Sequence, residues 1–434
     1  MEITYYDREL ETADRSTLEA HQVARLRTLL AELLARNPFY GPRLRAAGLA
    51  NAEELQSLAD LGRIPFTRKS ELVADQDANP PYGTLLTYPL SAYTRLHQTS
   101  GTTGRPLRIV DTPESWDWWL RCWGFVYRGA GVGPDDRVFC AFSFGPFIGF
   151  WSAFEAAPRL GALAIPGGGQ TSEQRLQMIL DNQVTVLVCT PTYALRLAEV
   201  AREQGVDVSG STVRLTLHAG EPGASIPSTK RRIEEAWGAR CYDHAGATEV
   251  GAFGFECVAQ SGGIHVNESE FIAEVIDPDT GQPADDGELV LTNLGRLALP
   301  VLRYRTGDRV RLQAGECPCG RTFRRLEGGL LGRVDDMLTV RGVNVFPSAI
   351  ENLVRRTTAV EEFAVDVYQE RAMDEMELRV EVVGEDPDAA CDAVARELWV
   401  ALGFRPRVRA VPAGTLPRFE LKARRVHDRR PRPT

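Results

Sequence analysis

Lysine is almost missing from this sequence. Of 434 residues only Lys69, Lys230 and Lys422 are lysine, so forty-seven of the fifty basic side chains are arginine. Such a bias reads as a high-GC coding sequence in which lysine drifts to arginine wherever either serves. A lysine that remains is a candidate for a place needing a compact ammonium rather than a planar guanidinium. Cysteine is scarce too: eight scattered residues exclude a secreted disulfide framework. A net charge of −9 argues against nucleic acid as a partner. The opening Met1–Arg8 stretch has no apolar signal-peptide core. The longest uncharged apolar run, Val138–Phe154, is broken by Ser143, Gly145, Pro146, Gly149 and Ser152. It reads as buried core or pocket wall, not as a membrane span. The expected location is cytoplasmic, with no membrane partner.

What is present is periodicity. Leu18, Val23, Leu26, Leu29, Leu30 and Leu33 recur at helical spacing, and Asn37-Pro38 stops that helix. From about 135 to 245, apolar runs (Val138–Phe142, Val184–Cys189, Val213–His218) alternate with helical segments (Glu173–Asn182, Tyr193–Gln204, Ser228–Trp237). That alternation predicts an α/β layered fold with a parallel sheet. Phe271–Ile276, Glu288–Thr292 and Arg309–Leu312, separated by turn residues, read as antiparallel strands. A boundary is expected near Gly332, giving a large α/β N-terminal domain (1–332) and a small α+β C-terminal domain (333–434). In the small domain Asp336–Val340 reads as a strand, and Ser348 with Glu351 as a capping box opening a helix. Arg418–Thr434, rich in arginine, has the composition of a solvated tail, but Lys422 near its start speaks against that.

The strongest local signal is TSGTTGRP at 99–106. Glycines let backbone N–H groups approach an anion, and hydroxyls add donors. No Gly-Lys-Ser/Thr follows, so it is not a Walker A loop. Downstream, in order, stand YDHAGATE (242–249), YRTGD (304–308), GRVDDML (332–338), RGVNVFP (341–347) and LPRFELKARR (416–425). This ordered set resembles the adenylate-forming superfamily of acyl-CoA ligases, luciferases and peptide-synthetase adenylation domains. IPGGGQTSEQ (165–174), TPTY (190–193), AGEP (219–222) and RGVNVFP resemble more closely the phenylacetate–CoA ligase family, over roughly residues 20–430.

The resemblance implies an ATP-dependent ligase that joins a carboxylic acid to AMP and passes the acyl group to coenzyme A. It implies a small domain that rotates between the two steps. Thr99, Ser100, Gly101, Thr102, Thr103 and Gly104 would cradle phosphates. Thr248 would contact the α-phosphate and Glu249 would hold Mg²⁺, a hard cation suited to a carboxylate. Gly220, Glu221, Pro222, Asp243 and His244 would wall the adenine, His244 either stacking on the base or packing as a core histidine. Asp308 would bind the ribose, and Lys422 would be the catalytic lysine. Leu421 stands where the family usually has glycine. Arg333 and Asp335 would form the hinge, and Gly342 would admit the thiol arm or simply make a turn. A homodimer is also implied.

Phe142, Phe144, Phe147 and Ala219 are candidates for the acid pocket, and rings separated by glycine favour an aryl or arylacetic acid. Cys257, His265, Cys317 and Cys319 match a closed structural Zn²⁺ site of three thiolates and one imidazole. Two other readings stay open. One keeps adenylation but uses another acceptor, such as a carrier-protein thiol, an amine or another small nucleophile. The other is a non-catalytic nucleotide-binding protein.

Overall fold

The structure, a computed structural model, describes residues 2–99, 105–341, 343–370, 373–384, 386–419 and 423–430, without the side chains of Asp335 and Asn344. Helix α1 (Arg15–Arg36) begins where the Asp14 side chain accepts the Thr17 N–H and buries Leu18, Leu26, Leu29, Leu30 and Leu33. It ends before Pro38, as the sequence predicts. Helix α2 (Lys69–Ala78) follows, then an antiparallel pair, β1 (Arg95–Gln98) and β2 (Arg108–Asp111). Helix α3 (Pro113–Gly129) starts on a Thr112 cap and buries Trp116, Trp118, Trp119 and Trp123.

The expected alternation is present: β3 (Arg137–Cys140), α4 (Ile148–Ala156), β4 (Leu163–Pro166), α5 (Ser172–Asp181), β5 (Val186–Cys189), α6 (Pro191–Glu203), β6 (Leu215–His218), α7 (Pro227–Trp237) and β7 (Arg240–Ala247). Strands β4-β3-β5-β6-β7 lie side by side and parallel. The central strands β5 and β6 are buried on both faces, which is why they read as continuous apolar runs, whereas the edge strand β4 leaves Leu163 exposed. Strands β8 (Gly251–Phe255) and β9 (Gly263–Val266) extend the sheet antiparallel. Strands β10 (Phe271–Ile276), β11 (Asp286–Asn293) and β12 (Tyr304–Arg311) form a second, antiparallel sheet. The chain then returns to the first sheet with β13 (Arg325–Glu327) beside β9, and to the second with β14 (Gly332–Arg333) beside β12.

Beyond β14 the described residues build a separate apolar cluster, in which Ile350, Val365, Leu378, Val394 and Leu398 are buried together. The elements are β15 (Leu338–Val340), β16 (Val343–Val345), α8 (Pro347–Arg355), β17 (Val360–Glu370), β18 (Met373–Val382), α9 (Pro387–Leu402), β19 (Arg407–Val411) and β20 (Val426–Asp428). Two expectations change here. The strand expected over Asp336–Val340 begins at Leu338, after a turn of 3-10 helix over Val334–Asp336. The Ser348/Glu351 capping box does not form: Phe346 occupies the cap, Ser348 Oγ donates to the Leu331 carbonyl at 2.6 Å, and Glu351 accepts from Thr229 Oγ1 at 3.1 Å. Both side chains are drawn to neighbours outside their own helix. Nor are residues 423–430 a solvated tail. β20 pairs parallel with β17, and Arg425 is buried against Glu362, with contacts of 2.6 and 3.0 Å.

The two parts meet across α6 and α7. Arg418 donates to Glu199 of α6 at 3.0 Å and to Glu381 of β18 at 2.7 Å, and Arg232 of α7 donates to the Val360 carbonyl at 2.5 Å. A cavity of about 520 Å³ lies in this seam, lined by Thr192, Glu199, Arg232, Arg355 and Arg418 among others. Neither the Thr248–Glu249 turn nor Gly220 lines it. Among the described residues no helix is long and apolar enough to cross a membrane.

Candidate functional site

In an open parallel sheet, ligands bind outside the carboxyl ends of the strands. Here β3 ends at Cys140 and leads to Phe142, β5 ends at Cys189 and leads to Thr190 and Thr192, and β6 ends at His218 and leads to the AGEP run at 219–222. Strand β7 ends at Ala247 and leads to Thr248 and Glu249. The topology therefore gathers at one edge motifs that are far apart in sequence. Gly220 takes φ 94°, a left-handed turn that bends the chain away from β6.

Thr248, Glu249 and Val250 form the turn between β7 and β8. Each of the three carbonyls is tied from outside. Arg296 Nη1 donates to Thr248 O at 3.0 Å and to Glu249 O at 3.3 Å, and Asn293 Nδ2 donates to Val250 O at 2.9 Å. The other edge of the Arg296 guanidinium grips Asp111, at the end of β2, with contacts of 2.8 and 2.6 Å. Both side chains of this pair are fully buried. The β1–β2 pair that flanks the 99–106 segment is thus connected through one arginine to the Thr248–Glu249 turn. Glu249 is buried, and Lys69 Nζ at the start of α2 lies 2.9 Å from its Oε1. The Tyr304 phenol faces the same carboxylate. Burial first, and then the Glu249 charge, push its pKa well up, so it stays a neutral hydroxyl.

Asp308 lies opposite Arg333 across β12 and β14, with the guanidinium 3.9 Å from its carboxylate. Gly307, at φ 76°, makes this approach possible, since a Cβ there would meet the Arg333 side chain at 2.8 Å. Asp243 is buried beside Ser225 and Gly329. Loss of water, and then the neighbouring Glu256 charge, raise its pKa to about 7. Glu256 in turn receives Lys230 Nζ at 2.6 and 2.8 Å and the Asp243 N–H at 2.9 Å. The His244 ring packs against Trp123 of α3 at 4.5 Å between centroids, and its Nδ1 pairs with the Gly254 carbonyl at 2.7 Å. Burial depresses its pKa to about 4. Glu221 turns its carboxylate to two main-chain donors, Thr192 N–H at 3.0 Å and Ala423 N–H at 2.6 Å.

The candidate acid-pocket residues cluster between β3 and the first turns of α4. Phe142 stacks on Phe150 at 4.0 Å, Phe144 meets Trp151 and Phe154 at 4.9 and 5.3 Å, and Phe147 stands edge-on to Phe150 at 6.2 Å. Gly149, within this cluster, has no heavy atom within 4 Å of where a Cβ would stand, so α4 borders open space there. Ala219 is half-buried at the end of β6.

Cys257, His265, Cys317 and Cys319 are all buried, and their ligand atoms lie within 4.8 Å of one another. Cys257 and Cys317 sulfurs are 3.6 Å apart, and Cys319 Sγ is 3.5 Å from His265 Nε2. With metal–sulfur bonds of about 2.3 Å and metal–nitrogen bonds of about 2.05 Å, a tetrahedral ion has edges of about 3.8 and about 3.5 Å. His265 Nδ1 pairs with the Phe323 carbonyl at 3.1 Å, which leaves Nε2 as the ligand atom. The residues present fit zinc.

Ser100, Gly101, Thr102, Thr103, Gly104, Gly342 and Lys422 lie outside the described residues, as does the Asp335 side chain. Sequence reasoning singled out Lys69 by its rarity, without giving it a partner, and missed Asn293 and the Asp111–Arg296 pair. Those three carried no signal, because one sequence does not reveal which buried polar groups meet.

The AMP-binding enzyme family model matches residues 95–295, and the AMP-binding enzyme C-terminal domain model matches residues 342–430. The phenylacetate-coenzyme A ligase of Pseudomonas putida is 35% identical, covering 97% of this chain and 96% of that protein. A solved structure of 2-hydroxyisobutyryl-CoA ligase in the postadenylation state, in complex with 2-HIB-AMP, superposes with a TM-score of 0.91 at 31% identity, covering 98% of this chain and 92% of that one. The same ligase with 2-HIB-AMP and CoA in the thioesterification state gives 0.74 at 32% identity over the same shares. The large and small parts are therefore arranged as in the first of those conformations.

Proposed function

Since the chain belongs to the phenylacetate–CoA ligase family of AMP-binding enzymes, and is thus an AMP-forming acid–CoA ligase, we propose that its acid is an aryl or arylacetic one and that the strand-end residues divide the work as follows. In the first step a carboxylate oxygen of the acid attacks the α-phosphorus of ATP. The bond to the β-phosphate oxygen breaks, and pyrophosphate leaves with the electron pair. In the second step the deprotonated thiol of CoA attacks the acyl carbon, the bond to the AMP oxygen breaks, and AMP leaves.

Gly220, Pro222 and Asp243 flank the adenine, and Asp308 accepts from the ribose hydroxyls. The Thr248 hydroxyl donates to the α-phosphate, on a turn whose carbonyls Arg296 and Asn293 already fix. Such preorganised donors act where charge develops. Lys422 bridges the acid's carboxylate and the α-phosphate, and Thr99–Gly104 hold the outer phosphates. Glu249 would hold Mg²⁺. A carboxylate suits that hard cation, which would share it with Lys69. When bound, the metal supplies positive charge to the phosphate oxygens. Zinc, held by Cys257, His265, Cys317 and Cys319, would have a structural role, tying the ends of β8 and β9 to the loop before β13. We place the domain division at Gly332/Arg333, with Arg333 and Asp335 as the hinge and Gly342 on the thiol path.

The observation that carries the aryl assignment is the ring cluster of Phe142, Phe144, Phe147 and Phe150 beside the open space at Gly149. A flat apolar wall suits a flat apolar acid. The test is acyl-CoA formation and AMP release across phenylacetate, benzoates, cinnamates, 2-hydroxyisobutyrate and short fatty acids. An aryl acid should give the highest kcat/KM. A preference for 2-hydroxyisobutyrate or a fatty acid contradicts the assignment.

A further inference from the structure

Glu221 sits in the AGEP run at the bend after β6, yet its carboxylate does not point along that run. One oxygen accepts the N–H of Thr192, in the first turn of α6, where helix donors have no partner of their own. That same helix end favours a negative charge. The other oxygen accepts the N–H of Ala423 at 2.6 Å, across 202 residues of sequence. Ala423 is the residue that follows Lys422 in the sequence.

The chain on either side is anchored to the same helix. Before Lys422, Arg418 reaches Glu199 of α6 with contacts of 3.0 and 3.2 Å. After it, Arg425 lies 3.4 Å from Thr192 Oγ1 and holds Glu362 of β17. Of these anchors, only the Glu221–Ala423 bond acts on the peptide adjoining the lysine. The whole set belongs to the arrangement that matches the postadenylation relative at 0.91 and the thioesterification one at 0.74.

We propose that Glu221 is a positioning residue for adenylation: its carboxylate, fixed on the amino end of α6, holds the peptide beside Lys422 so that the lysine meets the reacting carboxylate and α-phosphate, and this bond breaks when the small domain turns for thiol transfer. The proposal rests on the reading of Lys422 as the adenylation lysine. A carboxylate is needed because both partners are donors. A glutamine offers one acceptor and one donor, and the donor would face an N–H. An aspartate is one methylene shorter and cannot reach both.

The test compares Glu221→Gln, Lys422→Ala and the double variant in acid-dependent ATP–pyrophosphate exchange, alongside thiolysis by CoA of a supplied acyl-adenylate. Losing a charge-assisted hydrogen bond of this kind corresponds to a fall of about 10- to 100-fold in exchange kcat. The KM for ATP should stay within about two-fold, since the loss is of positioning and not of uniform binding. Thiolysis should fall far less than exchange. In the Lys422→Ala background, Glu221→Gln should have no further effect on exchange, because it acts through the lysine. Glu221→Asp and Ala423→Pro, which removes the same N–H from the other side, should show the same split and carry the test if Glu221→Gln does not fold. Wild-type exchange in these variants, with Lys422→Ala inactive, overturns the proposal and leaves the reading of Lys422 standing. A rise in KM for ATP at unchanged kcat also overturns it, making Glu221 part of the adenine wall. Wild-type exchange in Lys422→Ala removes the reading of Lys422 and the proposal together.

Discussion

The ammonium of Lys69 lies 2.9 Å from Oε1 of Glu249, so the carboxylate assigned to Mg²⁺ is already shared with a cation from a different element. The two cations compete. A charge-assisted hydrogen bond is worth roughly 1.5–3 kcal/mol, about ten-fold or more in an equilibrium. Lys69→Met should therefore lower the Mg²⁺ concentration giving half-maximal pyrophosphate exchange by about ten-fold, and Glu249→Gln should raise it at least as much. Unchanged half-saturation in both variants contradicts the assignment of Glu249.

Arg296 and Asp111 predict a stability effect joined to an activity effect. Their side chains are fully buried, so removing one leaves an uncompensated charge at a cost of about 3–5 kcal/mol. Arg296→Met should lower the urea midpoint accordingly, and Arg296→Met with Asp111→Leu should regain part of that loss. Exchange activity should stay low in the double variant, because the Thr248 and Glu249 carbonyls have still lost their donor. Recovery of activity together with stability would show that the arginine does nothing for the turn.

The cysteine–histidine cluster predicts one zinc per chain by elemental analysis. Cys317→Ser should lose the metal and lower the thermal midpoint by several degrees. Its KM for ATP and acid should be unchanged, because the cluster's described contacts are with protein groups such as Phe323 and Tyr5. Metal-free protein with an unaltered midpoint contradicts the structural role.

His218 predicts a pH dependence. It is fully buried between Cys189 O and Thr216 Oγ1, and burial lowers its pKa from 6.5 to about 4. Between those values the unfolded chain binds a proton that the folded chain refuses. Stability is therefore whole above pH 6.5 and falls as the pH drops towards 4. His97 and His244, also lowered to about 4 by burial, act in the same direction. His218→Gln should flatten the urea-midpoint profile in that window by up to about 1.4 kcal/mol per pH unit. An equally steep profile contradicts this.

Much of the fold was legible because buried parallel strands and amphipathic helices leave periodic marks. The runs before Cys140, Cys189 and His218, and the helices after them, stand where those marks place them. Local capping rules misled at Ser348 because the carbonyl it serves belongs to Leu331, in another segment. Composition misled at Arg425 because an arginine paired in the core looks the same in sequence as a solvated one. Within the site, the motifs named the stretches of chain but not the direction of each side chain. Glu221 reads as part of an adenine wall, yet its carboxylate serves a peptide 202 residues away. The rarity of lysine pointed at Lys69 and Lys230 without saying what they hold.

Central to this account is that acid and ATP react before the thiol arrives. Pyrophosphate exchange into ATP, measured with Mg²⁺ and phenylacetate but without CoA, tests it most directly. Exchange that depends on an aryl acid and vanishes in Lys422→Ala is the predicted result. Exchange that appears only when CoA is present, or that is indifferent to the acid, would contradict it.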